Sequence, residues 1–226
     1  MKLTMFDVDG TLTNSNEIDA QCFVAALKEA YNVEVADIEW SKYKCVSDQG
    51  LSTEIFEDMF QRKPEREDLN RIKNSYLNSL KKEIARSKEC CPEIPGAVSA
   101  MQRLKENPDY AVAIATGCWK ESADLKLTTA GFEFNDIPMA SSSDSMERVT
   151  IMQISLERAI TKYRVDKFEK VIYVGDGVWN VIASRELNFH FIGVGSGANK
   201  QKLLEVGARN IVTDFCDYEM FMNVLI

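Results

Sequence analysis

Two aspartates separated by one residue, in Asp7-Val8-Asp9-Gly10-Thr11, follow directly on the apolar run 3–6. Two further sites stand in the same relation to apolar runs: Thr116-Gly117 follows 110–115, and Gly175-Asp176-Gly177 follows 170–174. Short β-rich runs that end in Gly or Asp read as buried strands. In an open parallel sheet, ligands bind beyond the carboxyl ends of the strands. Asp7, Asp9, Thr116 and Asp176 are therefore expected to meet at one sheet edge. A single aspartate there commonly just caps a turn. Three gathered without a cation would repel one another and hold raised pKa values. A hard divalent cation removes that repulsion, and ligands that are all oxygen favour Mg²⁺. The expected chemistry is that of a metal–carboxylate site.

The elements that must position these residues follow from the pattern around them. Helical segments are expected at 97–106, 121–130, 150–162, 178–187 and 200–206, and further strands at 189–194 and 210–212. Gly131 and Gly207 read as helix C-caps. Continuous apolar strands alternating with helices indicate an α/β fold, doubly wound around a parallel sheet. One interval breaks the rhythm. About 100 residues separate the first strand from Thr116, where a crossover needs about a dozen. Residues 15–91 carry helical periodicity (Cys22, Ala25, Ala26, Glu29; Ile55, Met59; Leu69, Ile72, Tyr76, Leu80) and no strand. Glu65 to Asp68 read as a solvated helix start, and Cys91-Pro92-Glu93-Ile94-Pro95-Gly96 as a return linker. The expected organisation is a sheet domain of residues 1–14 and 92–226 with a helical cap of residues 15–91 inserted.

Composition narrows the partners. The 226 residues carry 27 Lys and Arg against 35 Asp and Glu, a net charge of −8, which argues against a general affinity for nucleic acid or anionic membrane. Any anionic ligand must be held locally. The six cysteines form no C-x-x-C pair, and the single His190 excludes a Cys/His zinc site of familiar spacing. Free thiols, an acidic residue as early as Asp7 and no apolar stretch long enough to span a bilayer lead to the expectation of a cytoplasmic monomer or homodimer.

Asp7-Val8-Asp9-Gly10-Thr11, Ile114-Ala115-Thr116-Gly117 and Val174-Gly175-Asp176-Gly177 resemble motifs one, two and four of the haloacid dehalogenase superfamily. The resemblance runs the length of the chain, in order. The long insertion before Thr116, against only 32 residues from Thr116 to Arg148, resembles the subgroup with a helical cap of the first type. Phosphoglycolate phosphatases and β-phosphoglucomutases belong to it. The resemblance implies that Asp7 is the nucleophile of an aspartyl-phosphate route and that Asp9 protonates the leaving oxygen and then activates water. It further implies that Thr116 holds the transferring phosphoryl with the N–H groups of Gly117 and Cys118. Asp176 would join Asp7 and the Asp9 carbonyl around Mg²⁺, and the substrate would be a small phosphorylated metabolite.

Two positions depart from the family pattern. Its third motif offers a Lys, sometimes an Arg, before the fourth-motif strand. Arg148, 28 residues before Asp176, fits that spacing, whereas Arg158 and Lys162 stand too close to the strand. Arginine would bind phosphate as a fork rather than as a point charge. Asn180 stands where the family often has a second Asp; it keeps one oxygen acceptor but loses a charge, so a weaker or indirect part in metal binding is expected.

Asp9 also separates phosphate chemistry from halide chemistry, since members that cleave carbon–halogen bonds typically lack this acid. A phosphonatase would need a cap lysine, for which Lys42 and Lys44 are available without other support. The expected activity is a Mg²⁺-dependent phosphatase. A phosphomutase is the nearest rival, and a non-catalytic phospho-acceptor of the receiver type is a rival of another class. The turn Val46 to Ser52 lies where related caps place substrate-selecting residues. Trp119 and Trp179 could line the cleft or pack beneath loops, Cys118 reads as a small filler thiol, and His190 reads as structural.

Overall fold

The computed structural model describes residues 1–34 and 42–226; residues 35–41, within the expected insertion, lie outside the described residues. Strands β1 (Lys2–Phe6), β2 (Tyr110–Ala115), β3 (Met139–Ala140), β4 (Val171–Gly175), β5 (His190–Val194) and β6 (Asn210–Val212) form one sheet. Its order is β3-β2-β1-β4-β5-β6, with every neighbouring pair parallel. Strand alternation divides each strand between two apolar layers. In β2, Tyr110, Val112 and Ile114 enter one layer, while Ala111, Ala113 and Ala115 enter the other.

Helices cover both faces. On the first lie α4 (Ala97–Glu106), α5 (Lys120–Thr129) and α9 (Tyr218–Leu225), which contribute Met101, Leu104, Leu127 and Phe221. On the second, α6 (Arg148–Tyr163) and α7 (Val178–Glu186) contribute Ile151, Met152 and Ala183. Helix α8 (Gly197–Glu205) packs Leu203 on Val181 and Ala208. Gly131 and Gly207, both at positive φ, follow the ends of α5 and α8 as expected.

Between β1 and β2 run α1 (Asn16–Tyr31), α2 (Asp48–Phe60) and α3 (Arg66–Arg86). They build an apolar cluster of their own around Phe23, Leu27, Phe56, Ile72 and Leu80. Trp119, from just beyond β2, inserts into it. The charge run at 65–68 acts at a helix start: Asp68 accepts the Glu65 N–H at 2.9 Å and pairs with Arg62 at 2.8 Å.

Two elements were not expected. Strand β3 has only two residues, too few for a period to show. Helix α9 buries Phe221 and Leu225 and is started by Asp217, which accepts the Met220 N–H at 2.9 Å. Helix starts also move: α6 begins at Arg148, α5 at Lys120 and α8 at Gly197, because first-turn residues need no apolar partner. His190 opens β5, with its ring against the Val224 carbonyl and the Asn210 amide. No helix of the described residues is long and apolar enough to cross a membrane.

Candidate active site

The register places the motifs together. Phe6 of β1 lies opposite Ile114 of β2 on one side and Val174 of β4 on the other. Asp7, Thr116 and Asp176 therefore leave three adjacent strands at the same edge. Beyond that edge lies a cavity of about 570 Å³. Asp7, Asp9, Thr116, Gly117, Arg148 and Asp176 all line it. From the inserted helices come Asn16, Asp19, Ser47, Asp48 and Leu51.

Asp7 is buried and held on both oxygens. Its Oδ1 accepts the Val8 N–H at 2.8 Å, and its Oδ2 accepts Asn180 Nδ2 at 2.9 Å and Arg148 Nη1 at 3.2 Å. Arg148 is the first residue of α6, so the helix start aims it at the strand ends. Its other terminal nitrogen donates to the Val46 carbonyl at 2.9 Å. Burial opposes its charge, but the Asp7 carboxylate holds its pKa above the usual arginine value. The guanidinium lies on Gly117, where a Cβ would come within 2.3 Å of Nη2.

Asn180, fully buried in the first turn of α7, uses its oxygen to accept the Gly177 N–H at 2.9 Å. Its amide nitrogen lies 2.9 Å from Asp7 Oδ2 and 3.1 Å from the Tyr173 hydroxyl. The acceptor left by replacing a carboxylate is thus spent on the backbone. Asn180 orients Asp7 through its donor.

The largest departure from the expected electrostatics concerns Asp9. The premise of three carboxylates without a cation is corrected by Lys126 of α5, which has no solvent exposure at all. Its ammonium lies 2.8 Å from each Asp9 oxygen and pairs also with Asp19 of α1. Ser15 and Cys118 Sγ, the latter at 2.7 Å, donate to the same carboxylate. Burial alone would raise Asp9, but the Lys126 charge and these donors hold it below the usual carboxylate range. Asp19, the second carboxylate on this cation, is raised by burial and by the Asp9 charge. Sequence reasoning missed both Lys126 and Asp19. The only sign was a lysine between Leu125 and Leu127, three residues beyond Ala123, on the side of α5 that packs inward.

Cys118 is buried, and burial together with Asp9 holds its thiol well above the usual thiol pKa. Its N–H, expected beside Gly117 as a phosphoryl donor, is taken by Thr116 Oγ1 at 3.2 Å. Both roles suit a packed filler. The turn at 46–48 reaches the site: the Asp48 N–H donates to the Gly117 carbonyl at 2.7 Å, and Asp48 Oδ2 accepts the Trp119 N–H at 2.7 Å. Ser47 Oγ donates to the Met146 carbonyl at 2.7 Å. Trp179 lines the cavity, whereas Trp119 is buried under the inserted helices. Lys42 and Lys44 are exposed and do not line it.

Among the described residues, no three His, Cys, Asp or Glu side chains stand as a metal-binding group, and the Asp9 carboxylate is turned toward Lys126. Asp7 and Asp176 remain. Asp176 has no ion-pair partner among the described residues; its Oδ2 accepts only the Asn16 amide, at 2.9 Å. Burial, then the Asp7 charge, push its carboxyl up to about 7. A half-buried carboxylate with no ion-pair partner of its own among the described residues, beside the Asp7 carboxylate, fits a divalent cation. Gly10, at φ +68°, makes the close approach possible, since a Cβ there would fall 1.9 Å from Asp176 Oδ2. Gly10→Ala is therefore expected to cost about 1–2 kcal/mol from the left-handed backbone alone and to displace Asp176. Urea unfolding and a Mg²⁺ titration of the folded variant would read the two effects separately.

Comparison with known proteins identifies the family and the fold. The family model for haloacid dehalogenase-like hydrolases matches residues 4–194, and the chain belongs to that family. It is a hydrolase of this class, whose enzymes generally use Mg²⁺. A search of curated proteins found no match. Among solved structures, a hydrolase from Pseudomonas syringae is similar with a TM-score of 0.74 at 19% identity, over 99% of this chain and 98% of that one. A Bacteroides vulgatus protein provisionally named a beta-phosphoglucomutase gives a TM-score of 0.71 at 17% identity, over 100% and 90%. A predicted phosphatase from Clostridium acetobutylicum gives 0.67 at 21% identity, over 100% and 99%. At these identities the likeness establishes the fold.

Proposed function

We propose that the protein is a Mg²⁺-dependent phosphatase that hydrolyses a small phosphomonoester through an aspartyl-phosphate on Asp7. The observation that carries this reading is the Asp7 carboxylate at the floor of the cavity, aimed by Arg148 and Asn180, with an acid–base candidate two residues on. In the first step an Asp7 oxygen bonds to phosphorus as the ester P–O bond breaks, and Asp9, which must first take up a proton against the Lys126 charge, gives that proton to the leaving oxygen. In the second, Asp9 takes a proton from water as the water oxygen attacks phosphorus, the P–O bond to Asp7 breaks, and phosphate leaves. Thr116, Gly117 and Arg148 bind the non-bridging oxygens and keep the group in line. Asp7 and Asp176, with the Asp9 carbonyl, would hold Mg²⁺, which when bound offsets phosphoryl charge.

Residues 15–91 act in this reading as a cap that keeps bulk water out. The cavity volume suits a small metabolite, and the net charge of −8 gives no reason to add a nucleic-acid or membrane partner. The test is phosphate release over sugar phosphates, phosphoglycolate, nucleotides and an aryl phosphate. Release with Mg²⁺ that stops in EDTA, with label trapped on Asp7 after acid quench, is the expected result. A label that stays on Asp7 without turnover would favour a phospho-acceptor, and one passed to a sugar phosphate would favour a mutase.

A further inference from the structure

We propose that Lys126 is a positioning residue for the acid–base step: its buried ammonium fixes the Asp9 carboxylate from behind while Asp19 anchors the ammonium to the inserted helices. The inference rests on the reading of Asp9 as the acid–base group. Lys126 lies on the inward side of α5 beside Ala123 and Leu127 and does not line the cavity, so it acts only through what it touches. An apolar residue would serve packing there at far lower desolvation cost. A lysine is warranted only by the carboxylates it meets.

The geometry sets what it does. At 2.8 Å from both oxygens, the ammonium straddles the carboxylate, and rotation about the terminal torsion would break one contact. Ser15 and Cys118 each add a neutral donor. Asp19, itself bonded by the Tyr76 hydroxyl of α3, holds the same nitrogen from the other side. Lys126 is thus held from α1 as well as from Asp9 and keeps its place behind the carboxylate through the acid–base step.

Leaving-group dependence separates this role from bulk stability. An acid matters for a poorly leaving alkoxide and little for nitrophenolate. Steady-state kinetics of Lys126→Met, of Lys126→Met/Asp19→Asn and of Asp9→Asn would be compared on an alkyl phosphate and on nitrophenyl phosphate. The double variant removes one uncompensated, partly buried carboxylate and serves if the single one folds poorly. In both Lys126 variants kcat/KM on the alkyl ester, which reports phosphorylation of Asp7 and not the later attack of water, is expected to fall about ten- to a hundredfold. On the aryl ester kcat/KM should fall less than about threefold, because nitrophenolate leaves without a proton.

An equal fall in kcat/KM on both esters, or near wild-type kcat/KM on the alkyl ester in the double variant, would overturn the role of Lys126. If Asp9→Asn itself shows no preference between the esters, the assignment of Asp9 fails and takes this inference with it. If Asp9→Asn discriminates and the Lys126 variants do not, the inference alone fails.

Discussion

Asp7→Asn is expected to lower turnover of every phosphomonoester substrate by about 10⁴-fold or more, since loss of a nucleophile removes the reaction path rather than one stabilising contact. The substitution is close to isosteric, and the donors around position 7 remain. Arg148, however, loses the carboxylate 3.2 Å from its Nη1 and is left as a buried cation. An anion in the cavity can take over that role, so inorganic phosphate is expected to bind Asp7→Asn at least as tightly as it binds the wild type. Phosphate release and calorimetric phosphate binding read the two halves. Turnover within tenfold of wild type would remove Asp7 from the mechanism, and loss of both turnover and phosphate binding would point to a collapsed site.

The second large effect is on stability. Lys126→Met removes the fully buried ammonium and leaves Asp9 and Asp19, both partly buried, facing each other without a cation. Breaking a buried pair by removal of one partner typically costs about 3–5 kcal/mol. Urea unfolding is expected to show a loss of that order, and Lys126→Met/Asp19→Asn is expected to recover part of it. A loss below about 1 kcal/mol would mean that water or local movement already screens these charges.

What could be read in the sequence was local. The strand runs, the punctuation after them and the interruption between β1 and β2 are all properties of consecutive residues, and the structure has them within a residue or two. The convergence of Asp7, Thr116 and Asp176 followed from one rule about parallel sheets. Arg148 was reached through spacing and resemblance, and its guanidinium does stand at Asp7. The charge balance was not legible. Whether a carboxylate needs a metal depends on which cations fold under it, and Lys126 arrives beneath Asp9 from 117 residues downstream. Its own neighbours describe an ordinary amphipathic helix. Asn180 was visible as a substitution, but its donor role needed the Gly177 N–H that occupies its oxygen.

The strand that carries Asp7 and Asp9 is central in space and early in the chain. Lys2 of β1 pairs with Tyr110, and Leu3 with Val171, so each partner lies across a very long closed loop. Long-range pairing of this kind loses chain entropy before contacts repay it and slows folding. During synthesis β1 waits for about half of the chain before its first neighbour exists. The inserted helices fill that interval with an apolar cluster largely their own, which shortens the effective loop. The cleft therefore forms only when the central strand docks, and partly made chains expose an apolar strand rather than a half-active catalyst. Newly made protein thus depends on prompt capture of that strand, and crowding or slow elongation bears first on yield and only afterwards on chemistry.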